Sequence, residues 1–327
     1  MSIVQLPIAK AITAGLRDAM RADEHVLIMG EDVGVLGGVF RVTDGLHAEF
    51  GSQRVVDTPL AEAGIVGTAV GLAFRGYRPV VEIQFDGFVF PAYNQITTQV
   101  AKMHYRTGGR VRMPLVIRIP HGGGIGAVEH HSESPEALFA HTAGLRILAP
   151  STAHDAYWMT RQAIETDDPV IMLEPKRRYW MKGDVDTDHR PELSPWQAAV
   201  VRPGTDLTLL AWGPSVPLAL EAAASAAQED VSVEVIDARS LSPIDVPTIA
   251  DSVRRTGRLL IVHEAPVLGG LGGEIAARIT EECFYHLEAP VLRVGGFHTP
   301  YPPARTEHAY LPDLDRVMDG VDRLLAH

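Results

Sequence analysis

The apolar residues of this chain follow two alternating patterns, amphipathic stretches of helical period and short continuous runs. The first helix is predicted from Ile8, Ile12, Leu16 and Met20, which recur at a spacing near 3.6. The apolar run at residues 25–29 that follows predicts the first strand. Further patterns predict strands at residues 78–85, 114–120, 145–149 and 169–173, and helices at 91–106 and after a cap at Ser151 or Thr152. Strands that alternate with helices are typical of a mostly parallel sheet covered on both faces.

The alternation stops between residues 175 and 197, where the sequence becomes charged and contains proline and glycine. It then resumes, with strands predicted at 206–212, 232–236, 259–263 and 291–294 and helices at 217–228, 245–254, 274–284 and 313–325. The sequence therefore predicts an α/β protein of two domains, each a mostly parallel sheet with helices on both faces. We place the first domain at residues 1–180, a linker at 181–198 and the second domain at 199–327.

Residues 55–76, VVDTPLAEAGIVGTAVGLAFRG, form the most distinctive stretch. Pro59 suits a strand-to-helix turn, so Ala61 and Glu62 are predicted to open a helix. Glycines 64, 67 and 71 recur on one face, although glycine costs about 1 kcal/mol against alanine inside a helix. They indicate a close backbone approach, either within this chain or between subunits. Glu62 is a candidate functional residue because a buried carboxylate is rare unless it is paired or used.

Composition and charge narrow the class of protein. The 327 residues are 46% hydrophobic and 21% charged, as in ordinary globular proteins. A net charge of -12 argues against nucleic acid or an anionic membrane as a partner. We find no apolar run of membrane-spanning length and no signal-peptide pattern at the N-terminus. The single cysteine, Cys283, excludes an internal disulfide framework and a cysteine-based zinc site, so we expect a cytoplasmic location.

A second glycine-rich stretch, residues 122–126, precedes His130 and His131. Such a loop lets a backbone approach a ligand closely, and the alternative is a surface loop with two solvated histidines. Adjacent residues rarely share a metal, so a metal site built from Glu129, the two histidines and Glu133 has little support. The glycines at 269–273 lack the lysine and hydroxyl residue of a phosphate-binding loop and are interpreted as a tight turn.

Several short motifs occur together and in one order. They are GED (30–32), DTPLAE (57–62), EIQFDGF (82–88), HHSESPEA (130–137), EPK (174–176), VIDARSLSPID (235–245), VHEAP (262–266) and TPYPPA (299–304). Over nearly the whole chain they strongly resemble the beta chain of the thiamine-dependent decarboxylase component of 2-oxo acid dehydrogenase complexes. The resemblance implies a pyrimidine-binding domain followed by a transketolase-type C-terminal domain, assembled with an alpha subunit as an α2β2 heterotetramer.

The resemblance also implies roles for individual residues. Glu62 matches the catalytic glutamate that hydrogen-bonds the pyrimidine ring of thiamine diphosphate and supports the proton relay that activates the cofactor. His131 matches a histidine used near the reaction centre during reductive acylation of the lipoyl group, with His130 as its nearest competitor. The other positions that match the cofactor pocket are Glu31, Leu60, Gln84 and Phe88, the last standing where relatives often have tyrosine.

Metal sites follow from the same resemblance. Relatives hold a structural potassium ion through backbone carbonyls, and the matching positions lie around Leu115, Val116 and Asp168. In thiamine enzymes a Gly-Asp-Gly motif and a later asparagine hold magnesium and the diphosphate. The chain's one Gly-Asp pair is Gly183-Asp184, followed by valine, and its one asparagine, Asn94, precedes that pair. We therefore expect no magnesium ligand in this chain, with Mg²⁺ held by the alpha subunit and the active site shared.

The family implies decarboxylation of a 2-oxo acid and transfer of the acyl group to a lipoyl domain at the core of a dihydrolipoyl acyltransferase. EPKRRY (174–179) is more similar to branched-chain members than to pyruvate-specific ones. We therefore expect branched-chain 2-oxo acids such as 3-methyl-2-oxobutanoate, with pyruvate as the alternative. A non-catalytic scaffold of the same fold is a further alternative. A self-contained transketolase-like enzyme is disfavoured by the length and by the missing diphosphate motif.

Overall fold

The computed structural model describes residues 3–327, which form fourteen strands and twelve α-helices. The strands are β1 (Ile3–Pro7), β2 (Val26–Gly30), β3 (Val55–Asp57), β4 (Arg78–Glu82), β5 (Val116–His121), β6 (Arg146–Leu148), β7 (Val170–Pro175), β8 (Lys182–Asp186), β9 (Ala199–Arg202), β10 (Leu207–Ala211), β11 (Val233–Asp237), β12 (Ser240–Ser242), β13 (Leu259–Pro266) and β14 (Leu292–Gly296). The helices are α1 (Ile8–Ala22), α2 (Leu46–Phe50), α3 (Glu62–Phe74), α4 (Tyr93–Gln95), α5 (Met103–Arg106), α6 (Glu136–Ala140), α7 (Ala153–Glu165), α8 (Val216–Ala226), α9 (Val246–Thr256), α10 (Leu271–Cys283), α11 (Glu307–Tyr310) and α12 (Leu314–Leu325).

The first large sheet has seven strands in the order β12-β6-β7-β5-β4-β2-β3, and all of them are parallel except β12. Its strands are apolar on both faces, as parallel strands covered by helices must be. In β2, for example, Val26 and Ile28 join the apolar cluster of α1 and α7, whereas Leu27 and Met29 join the cluster of α3. Because successive side chains of a strand point to opposite faces of the sheet, β2 contributes residues to both helical layers.

The second large sheet has five strands in the order β14-β13-β10-β11-β9, with β9 antiparallel. Leu209 packs with α8 and α12 on one face, and Leu210 packs with α9 and α10 on the other. The cluster that contains Leu210 continues across to Ile65 of α3, so the two sheets share an apolar core. The prediction of an α/β fold built from mostly parallel sheets with helices on both faces is confirmed.

Short pairings between distant parts of the chain were not predicted. Strand β8 lies within the segment predicted as a linker and pairs antiparallel with β1, and β12 from the second half of the chain closes an edge of the first sheet. These strands have three to five residues and carry no clear apolar alternation, so only their partners define them. The exact domain bounds at 1–180 and 199–327 stay a prediction.

Two predicted helices differ in detail from the structure. The predicted helix at 91–106 is broken into a 3₁₀ segment, Asp86–Ala92, then α4, a π-helical segment, Ile96–Val100, and α5. Thr152 rather than Ser151 caps α7, since its hydroxyl accepts the backbone N–H of Asp155 at 3.0 Å. No helix within residues 3–327 combines the length and the apolar character needed to cross a membrane.

The glycine face of α3 is open in this chain. A Cβ added at Gly64 would meet nothing nearer than the Ala61 Cβ at 3.7 Å, and one added at Gly71 would meet nothing within 4 Å. At Gly67 the nearest atom is the side-chain oxygen of Gln95, at 3.8 Å. Packing within the chain therefore does not explain these glycines, and the alternative of packing between subunits stays a prediction.

Candidate functional site

The predicted site residues lie at one edge of the first sheet. Four adjacent parallel strands, β5, β4, β2 and β3, end there. The last three end level because Gly30 is in register with both Asp57 and Glu82, whereas β5 continues from Arg118, the partner of Glu82, to His121. Ligands of parallel α/β sheets bind outside the carboxyl ends of the strands, where loops and helix N-termini converge. Each predicted cofactor residue follows one of these strands: Glu31 follows β2, Leu60 and Glu62 follow β3, and Gln84 and Phe88 follow β4.

Two buried carboxylates form the polar part of this edge. Glu31 and Glu62 are each only 7% exposed. Burial raises the pKa of the Glu31 carboxyl, and the negative charges of Glu62 and Asp32 raise it further. Among the described residues Glu31 Oε1 and Thr58 Oγ1 are buried without a hydrogen-bond partner. Unpaired buried oxygens are uncommon in native proteins, so these two fit a site whose ligand supplies hydrogen-bond donors.

Backbone strain and an exposed apolar side chain mark the same edge. Asp32 has a φ of +58°, in the left-handed region that few non-glycine residues adopt. Its Oδ2 accepts a hydrogen bond from Gln84 Nε2 at 3.2 Å. Leu60 is 79% exposed, although it immediately precedes a helix that packs into the core. An exposed leucine beside buried carboxylates fits a flat ring with polar edges and apolar faces.

His131 lies in an aromatic cage beside these residues. Its ring stacks on Phe85 with centroids 3.9 Å apart and meets Phe88 edge to face at 5.0 Å. Its Nδ1 lies 2.9 Å from the backbone carbonyl oxygen of His130. A carbonyl can only accept, so Nδ1 carries the proton and Nε2 of the neutral ring carries the lone pair. The structure therefore gives His131, rather than the more exposed His130, the packing and tautomer of a proton-handling residue.

A buried ionic group lies beneath the aromatic cage. Lys176 Nζ contacts Asp86 Oδ1 at 2.6 Å, with side chains 0% and 1% exposed, and Asp86 Oδ2 accepts the backbone N–H of Glu133 at 2.8 Å. Nearby, Arg118 contacts both Glu82 and Glu174, each at 2.6 Å. The carboxylates raise the pKa of the Arg118 guanidinium despite its burial. These charged residues were assigned no role from the sequence. The available signal was a charge inside an apolar strand for Glu82, Arg118 and Glu174, whereas Asp86 and Lys176 lie in 3₁₀ segments that follow β4 and β7.

The glycine-rich loop at 122–126 is held by side chains from the C-terminal half of the chain. The backbone N–H of Gly123 donates to Glu264 Oε2 at 3.0 Å, and that of Gly124 donates to Glu307 Oε1 at 2.6 Å. A Cβ on Gly123 would lie 1.9 Å from the hydroxyl of Tyr301. The loop is thus pressed against side chains of the C-terminal half, which include residues of the VHEAP and TPYPPA motifs. Close approach to the chain itself accounts for Gly123, and the approach of this loop to a ligand stays a prediction.

The three positions predicted for potassium lie away from this edge. The carbonyl oxygen of Leu115 accepts the N–H of Val170 at 2.9 Å, and Val116 is part of β5. The carboxylate of Asp168 accepts a hydrogen bond from Arg146 Nε at 2.7 Å. None of these contacts tests an ion site, and the potassium site stays a prediction.

The comparisons with known proteins agree with this arrangement. The family model described as "Transketolase, pyrimidine binding domain" matches residues 4–181, and "Transketolase, C-terminal domain" matches residues 197–317. The chain is 64% identical over 325 residues to the pyruvate dehydrogenase E1 component subunit beta of Leifsonia xyli, covering 99% of this chain and 96% of the relative. It is 56% identical over 321 residues to the 3-methyl-2-oxobutanoate dehydrogenase subunit beta of Mycobacterium tuberculosis, covering 98% and 92%.

A more distant relative and a solved structure extend the comparison. The 2-oxoisovalerate dehydrogenase subunit beta of Pseudomonas aeruginosa is 42% identical over 342 residues, covering 99% of this chain and 96% of the relative. A solved structure described as "Split gene transketolase, inactive beta4 tetramer" superposes with a TM-score of 0.80 at 23% identity, covering 98% of each chain. At that identity the superposition shows the fold alone, which is transketolase-like.

Proposed function

Because this chain belongs to the family of E1 component beta subunits of 2-oxo acid dehydrogenases, we propose that it forms the pyrimidine-binding half of a thiamine diphosphate site completed by an alpha subunit. The assembled α2β2 enzyme decarboxylates a 2-oxo acid and transfers the acyl group to a lipoyl domain of a dihydrolipoyl acyltransferase. The observation that carries the proposal is the pair of buried carboxylates, Glu31 and Glu62, which follow β2 and β3 at the edge where His131 packs against Phe85 and Phe88.

The residues at this edge fit the aminopyrimidine ring. The ring has hydrogen-bond donors and acceptors on its edge and apolar faces, which match the unpaired Glu31 oxygen, the exposed Leu60 and the ring of Phe88. Glu62 would hydrogen-bond the ring nitrogen, and Gln84 supports the turn beside it through its hydrogen bond to the Asp32 carboxylate. When bound, thiamine diphosphate supplies the nucleophilic carbon and the electron sink for decarboxylation. The role of this chain is therefore to bind, orient and manage protons.

His131 is proposed to act at the acyl-transfer step. Its Nε2 has a lone pair in the neutral ring and donates a proton when the ring is charged. The hydrogen bond from Nδ1 to the His130 carbonyl stabilises one ring orientation in both states. The residue can therefore exchange a proton with a lipoyl sulfur that enters the edge of the sheet. His130 has no comparable packing and is the less suitable candidate.

Magnesium and the diphosphate are proposed to bind the alpha subunit. Gly183 and Asp184 lie in β8, where they pair with β1, and Asn94 lies in α4. Neither position belongs to the edge that carries Glu31 and Glu62. The proposed alpha subunit thus supplies the other half of the site. We also propose a cytoplasmic setting, which the single cysteine supports.

We propose branched-chain 2-oxo acids such as 3-methyl-2-oxobutanoate as substrates, on the similarity of EPKRRY and of the relatives named for that activity. Pyruvate is a second candidate, favoured by the relative at 64% identity. Glu174 and Lys176 of EPKRRY form buried ion pairs, so the motif does not contact substrate from the open edge. Comparing kcat/KM for the two acids with the reconstituted tetramer decides between them.

The test of the shared site is a calorimetric titration. Thiamine diphosphate with Mg²⁺ is titrated into this chain alone, then into the chain mixed with its cognate alpha subunit. Binding in the mixture but not in the isolated chain is the expected result. Tight, magnesium-dependent binding by this chain alone would contradict a shared site and restore the self-contained enzyme. The absence of decarboxylation by a cofactor-loaded tetramer would instead favour the scaffold.

A further inference from the structure

The Lys176–Asp86 ion pair is almost completely buried, with side chains 0% and 1% exposed. Transferring an ammonium and a carboxylate from water costs several kcal/mol per ion in real proteins, and an apolar pair of similar volume is often equally stable. Burial raises the pKa of Asp86 and lowers that of Lys176, and each partner's charge opposes the effect on the other. The pair therefore calls for a reason other than stability.

Its contacts lead directly to the segment that carries His131. Asp86 follows Phe85 in the chain, and its second oxygen accepts the N–H of Glu133, two residues beyond His131. The next residue, Gly87, lies against the His130 backbone so closely that an added Cβ would be 2.3 Å from the His130 carbonyl oxygen. Segment 85–88 and segment 130–133 are thus joined at two points on either side of His131.

The same two segments supply the aromatic cage. Phe85 and Phe88 flank Asp86 and contact the His131 ring at 3.9 and 5.0 Å between centroids. Any movement of Asp86 relative to Glu133 therefore displaces the cage relative to the imidazole. Lys176 restrains Asp86 from the opposite side, because it extends from the end of β7 and reaches the carboxylate at 2.6 Å.

We propose that Lys176 and Asp86 are positioning residues for His131. The lysine holds the carboxylate, the carboxylate holds the backbone of Glu133, and the loop between them presents Nε2 of His131 in the orientation that acyl transfer requires. This inference rests on the function proposed above for His131. It assigns a role to Lys176 of the EPK motif and to Asp86 of the EIQFDGF motif, whose side chains are buried.

The experiment compares two partial reactions of the reconstituted α2β2 enzyme. One is decarboxylation measured with an artificial electron acceptor, and the other is acyl transfer to a free lipoyl domain. The variants are Lys176→Met, the charge-neutral double variant Asp86→Asn with Lys176→Met, and the matched control Lys182→Met. Lys182 is an exposed lysine of β8 outside the site. If the single variant does not assemble, the double variant, which leaves no unpaired charge, decides the question.

A second measurement follows His131 directly and needs no turnover. Diethyl pyrocarbonate modifies neutral imidazoles, and mass spectrometry of the peptides gives the rate at His131 relative to His25, whose side chain is 54% exposed. When the modification rate of His131 is recorded against pH, it reports both the access of the reagent to the imidazole and the titration of the imidazole. The charged groups on the same loop are Glu129, His130 and Glu133, and those from the packed elements are Asp86 and Lys176.

In Lys176→Met we expect acyl transfer to fall about 10- to 100-fold, since misplacing a reacting group by about 1 Å has effects of this size. Decarboxylation falls much less, the relative reactivity of His131 changes, and Lys182→Met behaves as the wild type. Acyl transfer that is unchanged in both Lys176 variants would overturn the proposal. So would an equal loss in both reactions with unaltered His131 reactivity. If the wild-type tetramer decarboxylates no 2-oxo acid, the proposed function is contradicted. The modification rates at His131 would still test whether Lys176 and Asp86 position this residue.

Discussion

The imidazole of His131 stacks on the ring of Phe85, with centroids 3.9 Å apart and planes inclined by 25°. This contact joins the long loop after β5 to the segment after β4, two parts of the chain that meet because their strands are neighbours in the sheet. The orientation of a proposed proton donor thus depends on an aromatic residue that no motif identified as functional. Replacing His131 removes the proposed proton donor, whereas replacing Phe85 removes only the packing of its ring, so the two variants separate these effects.

We expect His131→Asn to retain decarboxylation and to lose acyl transfer by about 100-fold or more, the scale of general acid–base contributions. Phe85→Leu keeps an apolar side chain but removes the ring pair, which is worth about 0.5–1.5 kcal/mol. Its acyl transfer should therefore fall by about 10-fold or less. Single-turnover assays with a lipoyl domain measure both variants. A larger loss in Phe85→Leu than in His131→Asn would contradict the assignment.

Glu62→Gln is expected to abolish decarboxylation while the fold is kept. Glutamine has the same shape but cannot share a proton with the pyrimidine nitrogen, so we expect kcat to fall by about 100-fold or more. The measurement is carbon dioxide release by the reconstituted tetramer, with circular dichroism as the check on folding. Glu24→Gln, an exposed position before β2, is the matched control. A rate near that of the wild type in Glu62→Gln would favour the non-catalytic scaffold.

Arg118→Met is expected to destabilise the chain strongly. The side chain is 1% exposed and pairs with Glu82 and Glu174. Without it these two buried carboxylates lose their cationic partner, although Glu174 keeps the hydrogen bond from the Tyr179 hydroxyl. Breaking a buried pair in this way costs about 3–5 kcal/mol. Arg112→Met removes a guanidinium that is 68% exposed and pairs with Asp167, so its cost should stay below about 1 kcal/mol. Urea unfolding of the two variants, monitored by tryptophan fluorescence, compares their stabilities. Equal unfolding midpoints would contradict the larger contribution expected of the buried Arg118 network.

Glu136 makes stability depend on pH in a specific direction. Burial and, to a smaller extent, the negative charge of Glu264 raise the pKa of this carboxyl from 4.5 to about 8, against the opposing effect of the hydrogen bond that Trp212 Nε1 donates to it at 3.3 Å. The folded state therefore binds the proton more tightly than the unfolded state does. The contribution of the neutral carboxyl is present in full below pH 4.5 and is lost as the pH rises towards about 8.

Glu136→Gln should remove this dependence, because glutamine is neutral throughout and its carbonyl can still accept the Trp212 N–H. Thermal unfolding between acidic and mildly alkaline pH should show a steeper decline of Tm in the wild type than in the variant. Glu281→Gln, an exposed position on α10, controls for the general effect of losing one negative charge. Parallel Tm curves for the wild type and Glu136→Gln would show that the carboxyl titrates normally.

Gly71→Leu tests the open face of α3. Apart from the backbone of α3 itself, no atom within residues 3–327 lies within 4 Å of a Cβ at that position, so the isolated chain should fold as before. If subunits pack on this face, the larger side chain prevents the close approach and the tetramer dissociates. Analytical ultracentrifugation of the variant with the alpha subunit measures the assembly. An intact tetramer would place the interface elsewhere.

Much of the fold could be predicted from local pattern. The helix at Ile8–Ala22 and the buried strands from Val26–Gly30 onward have one dominant period, and their packing follows from it. The segment from Asp86 to Arg106 was predicted less accurately, because its sequence is compatible with a regular helix, whereas the contacts of residues 86–88 with the His131 loop begin the segment as a 3₁₀ turn. The pairings of β1 with β8 and of β12 with β6 carry almost no local signal.

The sequence by itself determined the α/β class, the family and the candidate residues Glu31, Glu62 and His131, because ordered motifs and hydrophobic periods are local properties of the chain. Only the tertiary structure decided what surrounds them. It showed that the glycines at 122–126 face Glu264 and Glu307, and that Lys176 reaches Asp86, 90 positions earlier in the chain. Such contacts depend on which strands become neighbours in the sheet and on the level at which their ends meet. Both are set by packing between distant segments, which no local pattern records.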